Sequence, residues 1–195
     1  MGRPKEFDCE VVLERALAVF WAKGYEATSI QDLVEATGVQ RQSLYDTYGD
    51  KHALYLAALR RYASQASRQV EKLTQPAGSP LGVLRDFMLA TAKDAGCDGI
   101  GCMVISAAVE LVASDTAVGA VVRESVDEAE RAFAALIEHA RAAGEVDRRV
   151  EVKPVARALV TLLWGLRTIG RTQRDPSWLQ GVVKHAISGL LPSPT

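Results

Sequence analysis

Apolar residues recur along this chain at helical spacing, and no stretch alternates in the manner of a strand. Leu13, Ala16, Leu17, Phe20 and Trp21 fall at i, i+3, i+4, i+7 and i+8, one face of a helix. Asp8 caps it, and it runs to about Lys23, where Gly24 supplies the stop. Thr28 or Ser29 caps the next helix, since both offer a capping box, Thr28-x-x-Gln31 and Ser29-x-x-Asp32. Leu33, Val34 and Ala36 form its inner face, and Gly38-Val39 makes a turn. A third helix covers Arg41–Tyr48, anchored by Leu44 and closed by Gly49. Asp50 caps a longer fourth helix to about Leu73, with Leu54, Tyr55, Ala58, Leu59 and Tyr62 along one side.

The breaker-rich stretch TQPAGSP at 74–80 interrupts this pattern, and everything after it again reads helical. Pro80 opens a helix carrying Leu84, Phe87, Met88 and Thr91. The glycine-rich AGCDGIG at 95–101 precedes the apolar helix CMVISAAVELVA. Ser114 caps the next helix, which has a mixed-charge face and ends at Gly144. Pro154 sits in the first turn of a Leu-rich helix, Asp175-Pro176 starts a last one, and Pro192 stops it. The expected fold is all-α, with about nine helices. Residues 1–50 form a three-helix helix-turn-helix domain and 51–195 a larger helical domain, the long fourth helix joining the two rigidly.

Composition changes this picture little. At 195 residues, 48% hydrophobic and 24% charged, the chain is long enough for one or two ordinary globular domains. Its net charge of −1 counts against a general cationic field for nucleic acid, so any DNA affinity rests on a few placed bases. The N-terminus lacks the apolar segment of a signal peptide, and no apolar run reaches the roughly 18–20 residues of a membrane span. A cytoplasmic protein without membrane contact is expected. Three cysteines without metal spacing read as free thiols, and His52, His139 and His185 are scattered as surface or core fillers. No metal or other cofactor is expected.

The stretch from Thr28 to Lys51 carries the candidate chemistry. A helix that is apolar behind, polar in front and presented after a glycine turn has the layout of a DNA recognition helix. Arg41 can chelate guanine through its fork, and Gln42 can pair with adenine; Gln40 and Ser43 are further candidates. Tyr45 and Tyr48 have hydroxyls suited to phosphate oxygens. Lys51, and Thr28 and Ser29 at the first helix of the motif, stand beside free backbone N–H groups that suit a phosphate. Against this, helix-turn-helix units also serve as plain packing, with Tyr45 and Tyr48 as core residues.

The run G-Y-x-x-T-S-I-x-D-L-V-x-x-T-G-V, followed by S-L-Y-D-T-Y-G-D-K-x-x-L, resembles the N-terminal domain of TetR-family transcriptional regulators over Gly24–Leu54. The resemblance implies a DNA-binding domain, a helical ligand-binding and dimerisation domain, and a homodimer acting on a double-stranded operator of inverted repeats. Position by position, it implies phosphate contacts from Thr28, Tyr45, Tyr48 and Lys51, and base or groove contacts from Arg41, Gln42 and Ser43. Gln40 stands where the family commonly has a capping Ser, and Gln42 where it often has a small residue. Arg3 and Lys5 form a basic arm suited to a minor groove, or an uninvolved tail.

The last two helices are the dimer candidates, through Leu159, Leu163 and Leu166, and Trp178, Val182 and Ile187, unless these only cover the monomer core. An apolar effector pocket would be lined by Phe87, Met88, Met103, Leu111, Phe133, Trp164 and Arg167; the same residue types at helical spacing also make ordinary core. Gly101-Cys102 at a helix start resembles a subgroup of TetR-like proteins, in some of which a cysteine here senses oxidants or electrophiles, with Cys97 nearby; buried cysteine also acts as a small hydrophobe. Three functions follow: a repressor released by a small hydrophobic effector, a thiol-sensing regulator using Cys102, or a small helical enzyme. The third lacks any triad, metal spacing, nucleotide loop or paired carboxylates.

Overall fold

The computed structural model describes residues 7–74, 78–95, 101–173 and 175–192. All regular structure among them is helical. The α-helices are α1 (Cys9–Lys23), α2 (Ile30–Thr37), α3 (Arg41–Tyr48), α4 (Lys51–Glu71), α5 (Pro80–Asp94), α6 (Met103–Leu111), α7 (Thr116–Ala142), α8 (Val152–Ile169) and α9 (Pro176–Ser188), with a 3₁₀ turn at Lys72–Thr74 after α4. They form two compact units: residues 1–65 with 103–122, and residues 66–102 with 123–195. The basic arm at Arg3 and Lys5, and Cys97, lie outside the described residues.

Local chemistry fixes the ends of the helices. Asp8 caps α1 through the N–H groups of Glu10 and Val11. Of the two possible capping boxes, the chain uses Ser29 and Asp32, each side chain bonding the other's backbone N–H. Thr28 instead donates its hydroxyl to Gly24 O at 2.6 Å and is 1% exposed. The expected cap at Ser114 falls one residue later. Asp115 Oδ1 accepts from Ala117 and Val118 N–H, while the Ser114 hydroxyl turns back to Leu111 O. A carboxylate is the stronger acceptor at a helix N-terminus, where the field also favours its charge.

In the first unit, Val12, Ala16, Leu17 and Phe20 of α1 are buried, as are Leu33, Leu44, Leu54, Tyr55, Ala58 and Leu59. Phe20 and Tyr25 pack on the ring of Tyr55 at centroid distances of 5.1 and 4.9 Å. Arg61 on α4 reaches both Glu10 and Glu14 of α1. The second unit has its own core, built from Leu84, Met88, Phe133, Leu136, Ile137, Leu159, Leu163, Leu166, Leu179, Val183 and Ile187. Leu159, Leu163, Leu166 and Ile187 are thus interior. Of the stripe expected at a dimer face, Trp178 and Val182 remain exposed.

Candidate nucleic-acid interface

The turn between α2 and α3 is built from its sequence. Gly38 adopts the left-handed conformation, φ +73°, that glycine takes without a Cβ penalty. Thr37, 3% exposed, donates its hydroxyl to Leu33 O and accepts from Val39 N–H. Arg15 of α1 adds a guanidinium bond to Thr37 O at 3.1 Å. A buried hydroxyl bridging helix end and turn holds α3 at a set angle, because leaving it unpaired would cost about 1–3 kcal/mol.

Helix α3 is anchored by Leu44, which is fully buried, and presents Gln40, Arg41 and Gln42 to solvent with Ser43 half-buried. Gln40 occupies the N-cap position and makes no side-chain cap, as its length predicts. The N–H groups of the first turn therefore keep their capacity to bond an outside acceptor. The Arg41 guanidinium lies over the Tyr45 ring, 5.2 Å from its centroid. Gln42 Nε2 donates to Asp46 Oδ1 at 2.8 Å. Lys51 Nζ lies 4.3 Å above the centre of the Tyr25 ring.

Two of the expected phosphate hydroxyls are engaged elsewhere. Tyr48 donates to Cys9 O at 2.9 Å, and burial pushes its phenol pKa up. Thr28 donates to Gly24 O. In the free chain these bonds tie Tyr48 to the start of α1 and Thr28 to the α1–α2 loop.

The N-terminal cap of α2 is also electrostatic. Asp32 accepts from Lys23 Nζ at 2.6 Å and from the Ser29 N–H and hydroxyl, which together hold its carboxyl at about 2, below the ordinary 3.8. A depressed folded-state pKa gives stability that is present above the unfolded value and lost as pH falls through the folded one. Urea unfolding of the parent should therefore weaken between about pH 4 and pH 2 more steeply than that of Asp32→Asn. The gap between the two proteins closes over that window.

Sequence reading missed three side chains here. Glu110 of α6 accepts from the N–H groups of Tyr25 and Glu26, and Asp115 takes His52 Nε2 at 2.5 Å. His52 is thus a paired residue rather than a filler. No local signal marks these contacts, whose partners lie more than sixty positions apart.

The expected effector residues are distributed over both units. Phe87 and Phe133 pack ring to ring at 6.2 Å, and Met88 and Trp164 join the same cluster. Met103 and Leu111 are buried on α6, within the first unit. Arg167 Nη1 lies 3.8 Å from the buried Cys102 sulfur. A groove of about 640 Å³ in the second unit is walled by Leu81, Arg85, Lys184, Ile187 and Leu191, and shares none of those residues.

Comparison with known proteins agrees with this geometry. Residues 12–58 match the model of bacterial regulatory proteins of the tetR family, and residues 81–186 the tetracyclin repressor-like C-terminal domain. The chain belongs to the TetR family. This TetR-family chain is 32% identical to the HTH-type transcriptional regulator YezE of Bacillus subtilis, over 97% of its own length and all of the relative's. It is 31% identical to the HTH-type transcriptional repressor ComR of Escherichia coli, covering 87% of this chain and 82% of that one. Among solved structures, a cysteine-substituted TetR-family regulator CifR, complexed with 26-bp double-strand operator DNA, superimposes with a TM-score of 0.84. That match has 28% identity and covers 97% of this chain and 100% of CifR. The TetR-family chain is accordingly a DNA-binding transcriptional regulator, and its relatives are regulators rather than enzymes. No helix among its described residues is long and apolar enough to cross a membrane.

Proposed function

We propose that the protein is a homodimeric repressor that reads an inverted-repeat operator with α3 of each copy and leaves it when a small hydrophobic effector binds. The observation that carries this reading is the front of α3. Gln40, Arg41 and Gln42 are exposed and Ser43 is half-buried above a fully buried Leu44, in a helix held by the Thr37–Gly38–Val39 turn. In this reading Arg41 and Gln42 meet base edges, with Gln40 and Ser43 beside them, while Ser29, Tyr45 and Lys51 meet phosphates. ComR is a repressor and CifR has been seen on operator DNA, which supports the same assignment here.

The effector would enter the second unit among Phe87, Met88, Phe133 and Trp164. Met88 and Phe133 are fully buried, so a ligand binds by parting these helices. Differential affinity for the parted state is what moves the dimer off DNA. A gel shift with the DNA flanking the protein's own gene tests the core of the reading. Retardation of one fragment over unrelated DNA at the same salt is expected, and uniform binding to all fragments would refute it.

Thiol sensing is the second reading, favoured by the Arg167 guanidinium at 3.8 Å from the Cys102 sulfur. That donor would bond more strongly to the oxygen of an oxidised sulfur. Repeating the shift under peroxide with Cys102→Ser separates the two triggers: an unaltered oxidant response in the variant removes Cys102 as the sensor.

A further inference from the structure

The segment 103–122, comprising α6 and the first turns of α7, clusters with residues 1–65 although the intervening chain belongs to the other unit. Two of its carboxylates bond the α1–α2 loop and the start of α4. Glu110 Oε2 accepts from Tyr25 N–H at 3.0 Å, and Oε1 accepts from Glu26 N–H at 2.8 Å. Asp115 divides its oxygens between the N-terminus of α7 and His52 on α4.

The loop between α1 and α2 is shaped to receive Glu110. Gly24 has φ +83°, and a Cβ there would stand 3.0 Å from Glu110 Oε2. The backbone conformation favours glycine at this position, and any Cβ there would press the carboxylate back by a few tenths of an ångström. Beyond the clamp, the loop leads directly into the parts that frame the recognition helix. Thr28 bonds back to Gly24 O, and Ser29 begins the capping box of α2. The Tyr25 ring packs on Tyr55 and lies beneath the Lys51 ammonium, at the first residue of α4. The loop held by Glu110 thus touches the elements on both sides of α3.

We propose that Glu110 is a positioning residue for operator binding: its carboxylate, bonded to two consecutive backbone N–H groups, sets the α1–α2 loop and through it the orientation of α3 relative to α6. The proposal rests on the operator-binding reading above. It assigns to α6 a polar handle on the DNA-reading element. Glu110 itself need touch no DNA. Paired acceptors suit this role, since two bonds from one rigid group fix direction as well as distance. A glutamine in its place would retain only one acceptor oxygen and would turn an amide NH₂ toward the second N–H.

The test compares the parent with Glu110→Gln and Glu110→Ala. Each is titrated with the flanking fragment and with unrelated DNA at one salt concentration, alongside thermal unfolding and amide exchange. Glu110→Ala should lower the ratio of specific to non-specific affinity by about tenfold or more, the scale of losing hydrogen bonds to a charged group. Glu110→Gln should fall between Ala and parent. Non-specific affinity should stay within about twofold, as for a change that removes no DNA contact. Exchange should quicken at Tyr25, Glu26 and the α3 amides while Phe20, inside α1, keeps its protection.

A ratio for Glu110→Ala that stays within about twofold of the parent's overturns the assignment. So does a loss of ratio that tracks a fall in melting temperature and in protection throughout α1, since that is plain destabilisation. A parent chain with no fragment preference refutes the operator reading itself, and shows this before any variant is compared.

Discussion

Replacing Arg41 with alanine is expected to lower affinity for the operator by roughly fivefold to a few thousandfold, with a much smaller loss on unrelated DNA. One bidentate arginine–guanine pair discriminates by about 1–3 kcal/mol. In the free protein the guanidinium sits over the Tyr45 ring at 5.2 Å, a contact worth about 0.5–1 kcal/mol at an exposed site. The parent gives up that contact on binding and the variant has none to give up, which trims the net loss. Two copies reading two half-sites then lose roughly 1–5 kcal/mol together, at 1.4 kcal/mol per factor of ten. The salt dependence distinguishes the base contact from its alternative. A base-reading Arg41 leaves the slope of log affinity against log salt nearly unchanged, whereas a phosphate-bound one reduces it by about one per copy and weakens all sequences alike. Fluorescence anisotropy on matched and base-substituted fragments, at several salt concentrations, reads both quantities.

That the effect concentrates in one arginine follows from the composition. The chain has 23 basic and 24 acidic residues, so it offers no diffuse attraction to a polyanion. The helix-turn-helix itself is also legible in the sequence, because its determinants are local: Gly38 at the turn, Leu44 behind, polar residues in front, and Ser29 three residues before Asp32. Choices between neighbours are not legible. Thr28 and Ser29 each fit a cap, and packing decides between them by burying Thr28 against Gly24 O. Ser114 and Asp115 differ by one position, and charge decides there. The Leu159–Leu163–Leu166 stripe suits a partner subunit by its pattern, yet it faces inward. Helix α8 is apolar around much of its circumference, and periodicity cannot say which of two apolar faces the monomer keeps. Glu110 and His52 are invisible for a different reason. Their meaning lies in contacts between segments far apart in sequence: His52 fills an unspecified position of the family run, and Glu110 lies outside it.

The outward face of α8 and α9 makes the second large prediction. With Leu159, Leu163 and Leu166 inside, the exposed side carries Ala158, Thr161, Thr168 and Ile169 on α8, and Trp178 and Val182 on α9. Gly165 and Gly181 lie on the same stripes. Neither has positive φ, and a Cβ built on either meets nothing within 4 Å. Glycine inside a helix costs about 0.5–1 kcal/mol relative to alanine, and no close packing among the described residues repays that cost. A close approach by the same helices of a second copy would, since small residues let helix axes come together over the flanking Trp178 and Val182. Gly165→Ala should therefore act in opposite directions on two measurements. It should raise helix stability by about 0.5–1 kcal/mol under conditions that keep the chain monomeric, and it should weaken self-association. Trp178→Arg combined with Gly165→Glu should go further, yielding particles of 21.1 kDa rather than twice that mass in sedimentation at micromolar concentration. The same double variant should bind the operator at least about a hundredfold more weakly, because each recognition helix then binds alone without the effective concentration its partner supplies. A double variant that sediments as a dimer would place the interface on another face. Stabilisation by Gly165→Ala without weaker association would mean that the glycine serves no close helix contact.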